Sequence, residues 1–306
     1  MTRALLITNP FAARADAKTV TAVLEVLSRG GWNVDLRTIA APGDARRIAE
    51  DSLDRGFEVM VSHGGDGTAM QIAAAIAGSG IALGVVPGGT GNVLAANLRL
   101  PRTPTGAARA LLKARSRAID LGVVQRSDGA HYFAVVAGTG FDAELMAGTD
   151  RAFKRRWKFA AYVARAAMAL PSVRSAPHRV TVDGNTQEIR AAMILVLNCG
   201  QLAPGFLKLH ADLCPDDGWL DVVALDADGA FQSASAIVEL LLGDRNGKGR
   251  RVWWARGRVV TVDVMDGMAR PVQLDGDVTG TTPFEARVLP RALSVLVGPA
   301  FKAHDG

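Results

Sequence analysis

The chain has 306 residues, of which 49% are hydrophobic and 21% are charged. That length exceeds what one hydrophobic core usually supports, so we expect two globular domains, and the composition excludes a disordered or fibrous chain. The net charge of +5 favours acidic partners, which include nucleotides, nucleic acids and anionic membranes. The two cysteines, Cys199 and Cys214, have no paired spacing, which excludes a disulfide framework and predicts a cytoplasmic protein.

The apolar segments of the chain do not predict a leader or a membrane span. The N-terminal apolar run ends at Asn9-Pro10 and is too short for a signal peptide. Residues 68–98 contain no Asp, Glu, Lys or Arg, but six glycines and one proline interrupt them. A continuous helix across a bilayer is incompatible with those breaks, so we predict a buried βα segment and no transmembrane helix.

The first third of the chain alternates short apolar runs with segments of helical spacing. Strands are predicted at Ala4–Thr8, Val34–Thr38, Val59–Ser62, Ile81–Val86 and Ala118–Val123, with helices between them. Strand–helix alternation at this spacing is typical of a parallel sheet covered by helices on both faces. We therefore predict an α/β domain over residues 1–125.

Residues 126–306 have a different pattern, in which strand-like runs predominate. Only Lys154–Leu170 and Gln232–Leu242 have helical spacing. Many short strands that begin or end near Gly, Pro or Asp predict a β-rich, sandwich-like second domain. The sequence leaves open whether the extreme C-terminus packs back on the first domain.

The glycine-rich segment Gly64–Thr68 follows a predicted strand and opens a predicted helix. Glycines allow a tight turn that brings backbone N–H groups close to phosphate oxygens, and a helix N-terminus favours anions. Asp66 adds a carboxylate that could act with Mg²⁺, the ion that neutralises phosphate charge. The alternative interpretation is an ordinary glycine turn in which Asp66 caps the helix.

A second glycine-rich loop, Pro87–Asn92, also lies between a strand and a helix and offers the polar side chains of Thr90 and Asn92. The carboxyl ends of parallel strands meet at one edge of the sheet, where ligands collect. Asn9-Pro10 leaves a strand at the same predicted edge. The convergence of three loops predicts a nucleotide site there.

The order of these motifs resembles the diacylglycerol kinase catalytic-domain family, which includes bacterial diacylglycerol kinases, sphingosine kinases and ceramide kinases. Gly-Gly-Asp-Gly alone would also fit NAD kinases or phosphofructokinases, whose α/β fold the first domain is expected to share. The resemblance extends over the whole chain and is carried by Asn9-Pro10, Gly43–Ala45, Gly64–Thr68, Pro87–Ala95, Ile119–Gly122, Gly138–Asp142, Asp216–Asp221 and Leu274–Asp277.

The resemblance implies an ATP-dependent lipid kinase that transfers the γ-phosphoryl group to a hydroxyl of diacylglycerol or a sphingosine-like lipid, with ATP and Mg²⁺ as cofactors. It assigns ATP contacts to Asn9, Pro10, Thr38, Gly64, Gly65, Asp66, Gly67, Thr68, Gly89, Thr90 and Asn92. It assigns a structural Mg²⁺ to Asp217 with the backbone carbonyls of Cys214 and Trp219, and supporting positions around that ion to Asp216, Asp221 and Asp120.

The general base implied by the resemblance lies in Asp275-Gly276-Asp277. The family usually has Glu at position 277, so either Asp277 or Asp275 takes the role, and Asp66 is the next candidate. A plain Asp-Gly turn is the alternative. The chain also has Ala12-Ala13 where the family commonly has Ser-Gly, which leaves the phosphate contact of the first loop open. It has Val93 where many members have Asp.

Two basic stretches without acidic residues, within Arg151–Arg174 and Arg245–Arg258, contain tryptophans that include Trp253 and Trp254. Basic residues beside tryptophan suit peripheral binding to an anionic membrane that carries the lipid substrate. A solvated face with buried tryptophans is an equally weighted alternative, whereas no module predicts nucleic-acid binding.

Two alternative functions remain open at this stage. One is a kinase of a soluble acceptor, as in NAD kinases, and the other is a catalytically weak lipid- or nucleotide-binding protein. The sequence also leaves open whether the protein forms a homodimer.

Overall fold

The structure is a computed structural model that describes residues 1–141, 170–203, 207–208, 213–242 and 251–303. The chain folds into two compact units, residues 1–120 with 291–306 and residues 121–290. The helix predicted at Lys154–Leu170 lies outside the described residues except for its last residue, as do the basic residues at 151–169 and 245–250.

The first unit follows the predicted strand–helix order. Its elements are β1 (Arg3–Thr8), α1 (Ala17–Arg29), β2 (Asn33–Thr38), α2 (Asp44–Glu50), a 3₁₀ turn (Leu53–Arg55), β3 (Val59–Gly64), α3 (Asp66–Ile76), β4 (Ala82–Pro87), α4 (Val93–Asn97) and α5 (Pro104–Leu111). Helix α1 packs with α5, and α2 packs with α3. Strands β3 and β4 are buried along their whole length, as their continuous apolar runs predict for a parallel sheet covered by helices.

The sheet of this unit is parallel, in the order β2-β1-β3-β4. The predicted α/β fold is therefore confirmed, and the predicted fifth strand is present, but it does not extend the parallel sheet. The run at Ala118–Val123 belongs to β5 (Arg115–Arg126), which pairs antiparallel with β6 (Gly129–Phe133). The parallel neighbour of β4 is instead the end of the last strand, where Val295 lies beside Leu83.

The second unit consists mainly of antiparallel strands. After the part of β5 that it shares with the first unit, and after β6, its elements are β7 (Val136–Gly140), a 3₁₀ turn (Leu170–Ser172), β8 (Ala176–Val182), β9 (Asn185–Ala191), β10 (Met193–Leu197), β11 (Gln201–Ala203), β12 (Leu207–Lys208), β13 (Leu220–Leu225), α6 (Gly229–Leu242), β14 (Val252–Gly257), β15 (Val259–Val264), β16 (Pro271–Leu274), β17 (Asp277–Thr281) and β18 (Phe284–Val297), whose end belongs to the first unit.

Two antiparallel layers enclose the core of the second unit, which confirms the predicted sandwich. One layer has the order β14-β13-β10-β7-β16-β17, and the other has the order β18-β15-β8-β9. Successive residues of β13 face opposite sides of this layer. Val222 belongs to the core cluster that contains Val260 of the other layer. Val223 joins another cluster with Leu240 of α6. This layer is thus covered on both faces around β13.

Within the part of the chain that the structure describes, no helix has both the length and the apolar character that crossing a membrane requires.

Candidate functional site

The two glycine-rich loops of the first unit touch each other through their backbones. The N–H groups of Gly88 and Gly89 both donate to the carbonyl of Gly64, at 2.7 and 3.0 Å. A Cβ atom added to Gly89 would lie 2.6 Å from the α-carbon of Gly65, closer than any side chain tolerates. The glycines are therefore required for the ends of β3 and β4 to hold the two loops in contact.

The first loop joins this pair through Asn9, which follows β1. Its backbone N–H donates to the His63 carbonyl at 2.9 Å, and its side-chain amide donates to Oγ1 of Thr68 at 3.0 Å. The structure thus brings Asn9, Pro10, Gly64–Thr68 and Gly89 together at one sheet edge. Thr38 ends the neighbouring strand β2 and is paired with Thr8 of β1, so it lies at that edge too.

Asn92 organises the second loop from within. It adopts the left-handed conformation (φ 52°), and its side chain exchanges two hydrogen bonds with the backbone of Gly89, at 2.9 and 2.7 Å. Asn tolerates this conformation better than most residues. Thr90 is exposed, and its hydroxyl has no hydrogen bond to the described part of the chain. Of the two predicted contacts, Thr90 has the side chain that is accessible to a ligand.

Asp66 connects the two glycine-rich loops. It begins α3, and its Oδ1 accepts the backbone N–H of Leu94 in the first turn of α4 at 3.0 Å. Burial raises the pKa of the Asp66 carboxyl, while N–H groups of the second loop and α4 oppose that rise. The charge of Asp66 is therefore held by backbone donors, and part of its function is to fix the second loop.

His63 is fully buried beneath this edge and supports the first loop. Its Nε2 lies 3.1 Å from the Arg14 carbonyl, and its Nδ1 lies 3.5 Å from the hydroxyl of Thr8. Burial lowers the pKa of His63, so the ring is neutral at pH 7. The role of His63 is therefore structural.

Arg14 is a site residue that the sequence interpretation missed. Its guanidinium donates to the carbonyls of Arg102 and Gly89, at 3.0 Å each, and its backbone N–H donates to the Gly88 carbonyl at 2.9 Å. The first loop is thus fixed to the second without the Ser-Gly pair that the family commonly has. The available signal was a basic residue four positions after Pro10.

In the second unit, Asp275-Gly276 forms the two-residue turn between β16 and β17. Both residues have positive φ, 48° and 90°, and Leu274 pairs with Asp277 across the turn. This is the geometry that favours Asp-Gly in hairpins. The turn predicted as the alternative interpretation is therefore present, and it carries both candidate carboxylates.

The two carboxylates of this turn have different surroundings. Asp275 accepts three backbone N–H groups, those of Ala134, Val135 and Val136, at 2.7, 3.0 and 2.8 Å. Asp277 is exposed, and its side chain makes no hydrogen bond or ion pair with the described residues. Asp275 thus holds the β6–β7 connection, whereas Asp277 is available to an incoming group.

Asp217, the predicted Mg²⁺ ligand, lies in a cluster with Asp221 and Arg256. Its Oδ1 accepts the Trp219 N–H at 3.0 Å, and its Oδ2 accepts from Arg256 at 3.0 Å. Among the described residues no group of three or more His, Cys, Asp or Glu side chains is arranged to hold a metal ion. Both oxygens of Asp217 thus accept hydrogen bonds from the protein itself, and the assignment of Mg²⁺ to Asp217 stays a prediction.

The predicted membrane stretch at Trp253-Trp254 is strand β14, and both tryptophans are half-buried. Trp253 packs against the core between the layers and donates to Gln187 at 3.0 Å, and Trp254 packs against the cluster under α6. Successive side chains of a strand point to opposite faces of the sheet. Trp253 and Trp254 are adjacent in sequence but therefore do not contribute to the same surface. These side chains match the alternative of buried tryptophans.

Comparison with known proteins assigns both units. Residues 3–124 match the diacylglycerol kinase catalytic domain, and residues 134–297 match the YegS C-terminal NAD kinase beta sandwich-like domain. The chain is 32% identical to a probable YegS-like lipid kinase of Pseudomonas aeruginosa, over 92% of this chain and 90% of the relative. It is 30% identical to a diacylglycerol kinase of Mycobacterium tuberculosis, over 95% and 93%.

Two further comparisons concern length and fold. The chain spans 57% of the length of an uncharacterized protein of Synechocystis, with 25% identity. A crystal structure from Bacillus anthracis named as a diacylglycerol kinase superposes with a TM-score of 0.76, over 98% of both chains at 20% identity, which concerns the fold alone. The chain belongs to the diacylglycerol kinase catalytic-domain family of lipid kinases.

Proposed function

We propose that this protein is an ATP-dependent lipid kinase that transfers the γ-phosphoryl group to a hydroxyl of diacylglycerol or of a sphingosine-like lipid. The observation that carries the proposal is the backbone contact between Gly64-Gly65 and Gly88-Gly89 at the carboxyl edge of a parallel sheet. Phosphoryl transfer depends mostly on positioning and charge neutralisation, and the paired loops place the N-terminus of α3 at this edge.

In this proposal the phosphates of ATP bind along the paired loops. The N-terminus of α3, which begins at Asp66, favours their negative charge, and Thr90 offers an exposed hydroxyl. The guanidinium of Arg14, held by two neutral carbonyls, adds positive charge at the same edge. When bound with ATP, Mg²⁺ neutralises phosphate charge. Ala12-Ala13 do not weaken the loop, because Arg14 fixes it.

We assign the general base to Asp277. A base needs an accessible lone pair to take the proton of the attacking hydroxyl. Asp277 is exposed and free of bonds to the described residues, whereas three N–H groups occupy the carboxylate of Asp275. As the lipid oxygen bonds to the γ-phosphorus and ADP leaves, the hydroxyl proton passes to Asp277. Asp275 positions the turn that carries it.

Radiolabelled ATP incubated with a panel of acceptors tests the reaction. The panel contains diacylglycerol, sphingosine and ceramide in mixed micelles, with NAD as the soluble acceptor that the NAD kinase-like sandwich makes relevant. We expect label in a lipid product, and none in NAD, with the wild type but not with Asp277→Ala. Label in NAD alone would establish the soluble-acceptor alternative. Binding of ATP without any labelled product would establish the weak-binding alternative.

We also propose that the lipid is reached at an anionic membrane surface through helix α6. Phe231, Ile237 and Val238 are 85%, 40% and 55% exposed on this helix. Its one charged residue, Glu239, accepts the backbone N–H groups of Arg251 and Val252 and so faces β14. Arg251 also donates to Gln232, and so places a cation beside the apolar face. Apolar side chains flanked by basic residues suit an anionic bilayer.

Sedimentation with vesicles tests this surface. We expect binding to vesicles that contain phosphatidylserine, weakening with salt, and a marked loss in Phe231→Ser/Val238→Ser. Met268→Ser is the matched control, because Met268 is an apolar residue that is 61% exposed on a loop outside α6. Equal binding of wild type and double variant would refute the assignment. A wild-type dimer that the double variant converts to monomer would assign the face to a second copy of the chain.

A further inference from the structure

Two carboxylates in the second unit are almost fully withdrawn from water. The side chains of Asp217 and Asp221 are 2% and 3% exposed. A buried carboxylate without a cation or sufficient donors is strongly unfavourable, so this pair requires a positive charge beside it. A bound divalent ion and a basic side chain are two ways to supply it, and they predict different behaviour towards chelators.

Arg256 supplies that charge from within the chain. Its guanidinium binds Asp221 through two bonds, Nε to Oδ1 at 3.1 Å and Nη2 to Oδ2 at 2.8 Å. Its Nη2 also donates to Oδ2 of Asp217 at 3.0 Å. The bond to Asp221 is the main cause of a raised pKa at Arg256. Two-point contact of this kind is the strong, geometrically specific form of an Arg–carboxylate pair.

The sheet places Arg256 at this position. Asp221 of β13 lies directly opposite Arg256 of β14 in the antiparallel register, so the two side chains project from the same face. Asp217 lies in the turn that leads into β13, and its Oδ1 accepts a hydrogen bond from the Trp219 N–H. Both oxygens of Asp217 therefore have protein donors before any ion is considered.

We propose that Arg256 takes the place of the structural Mg²⁺ predicted at Asp217, so that this turn is fixed by an internal ion pair rather than by a metal ion. Mg²⁺ requires near-octahedral oxygen ligands, and a guanidinium bonded to the same carboxylate repels it. The prediction that Asp217 binds Mg²⁺ with the carbonyls of Cys214 and Trp219 is the competing hypothesis. The inference does not depend on the acceptor, and it does not concern the Mg²⁺ that accompanies ATP.

Thermal unfolding of the full chain without nucleotide separates the two hypotheses. We expect the wild-type Tm to be the same in EDTA and in millimolar MgCl₂, and metal analysis of the dialysed protein to find no retained magnesium. Arg256→Ala should lower Tm by several degrees in EDTA, because it removes the positive charge beside two buried carboxylates. Mg²⁺ should recover part of that loss, since the carboxylates are then open to a cation.

Two variants serve as controls. Arg256→Ala/Asp217→Asn should lose the recovery by Mg²⁺, because one of the two carboxylates is gone. Arg179→Ala removes an arginine paired with Glu188 on the surface and should change Tm little in either buffer.

Saturable stabilisation of the wild type by MgCl₂, abolished by Asp217→Asn, would overturn the proposal and establish the metal site. Failure of Mg²⁺ to restore any stability to Arg256→Ala would also count against it. If Arg256→Ala does not fold, the wild-type titration and the metal analysis decide the question alone.

Discussion

Replacing the two aspartates of the β16–β17 turn should give opposite phenotypes, although they are two residues apart. Asp275 accepts three backbone N–H groups, and two of them belong to the buried residues Ala134 and Val135. Asp277 is exposed and makes no bond to the described residues. One side chain therefore stabilises the unit, whereas the other is available for chemistry.

The magnitudes follow from those contacts. Leaving a buried donor unpaired costs about 1–3 kcal/mol, so losing the acceptor of two buried donors in Asp275→Ala should destabilise the protein by about 2–6 kcal/mol. That is a large part of the total stability of about 5–15 kcal/mol. Asp275→Asn keeps the turn, because Asn tolerates positive φ, but it replaces one acceptor oxygen with an amide and should cost about 1–3 kcal/mol. Asp277→Ala should change stability by less than about 0.5 kcal/mol.

The assay combines denaturant unfolding with single-turnover phosphorylation at saturating ATP. Asp277→Ala should unfold like the wild type, bind ATP normally and lose about 10²–10⁴-fold in turnover. Asp277→Glu introduces the glutamate that the family usually has at this position and should keep partial activity. Asp275→Asn should mainly lower the free energy of unfolding, with a smaller loss of turnover than Asp277→Ala. A folded Asp275→Asn without activity, beside an active Asp277→Ala, would refute the reasoning and make Asp275 the base.

Three further predictions concern the first unit. Asp66→Asn removes a charge that burial disfavours, but it also replaces one acceptor of the N–H groups that fix the second loop, so we expect a small change in the free energy of unfolding. Turnover should fall about 10²–10³-fold, and turnover near the wild type would remove Asp66 from the site. Gly89→Ala should weaken ATP binding in calorimetry, because its Cβ would lie 2.6 Å from the α-carbon of Gly65. An affinity equal to that of the wild type would contradict the loop contact. Burial lowers the pKa of His63, so the stability that its neutral ring contributes is complete above pH 6.5 and is lost as the pH falls through the lowered pKa. In denaturant titrations, His63→Asn should reduce this dependence of the unfolding free energy on pH. An unchanged pH dependence would assign it to His178, whose pKa burial also lowers.

Features that depend on neighbours along the chain could be predicted from the amino-acid sequence. Strand–helix alternation predicted the α/β unit, and glycines after Val59–Ser62 and Ile81–Val86 predicted the two loops. The Asp275-Gly276 turn was also readable, because its positive φ angles favour that dipeptide wherever it occurs. These signals are local, since periodicity and turn chemistry act over a few residues.

Features that depend on which distant segments meet could not be predicted from the sequence and required the fold. The parallel neighbour of β4 comes from the far end of the chain, where Val295 pairs with Leu83. The role of Asp275 rests on N–H groups 139–141 residues away. Arg256 faces Asp221 because of the register between β13 and β14. The identity of a residue states what it can bind, but chain topology and strand register determine which partner reaches it.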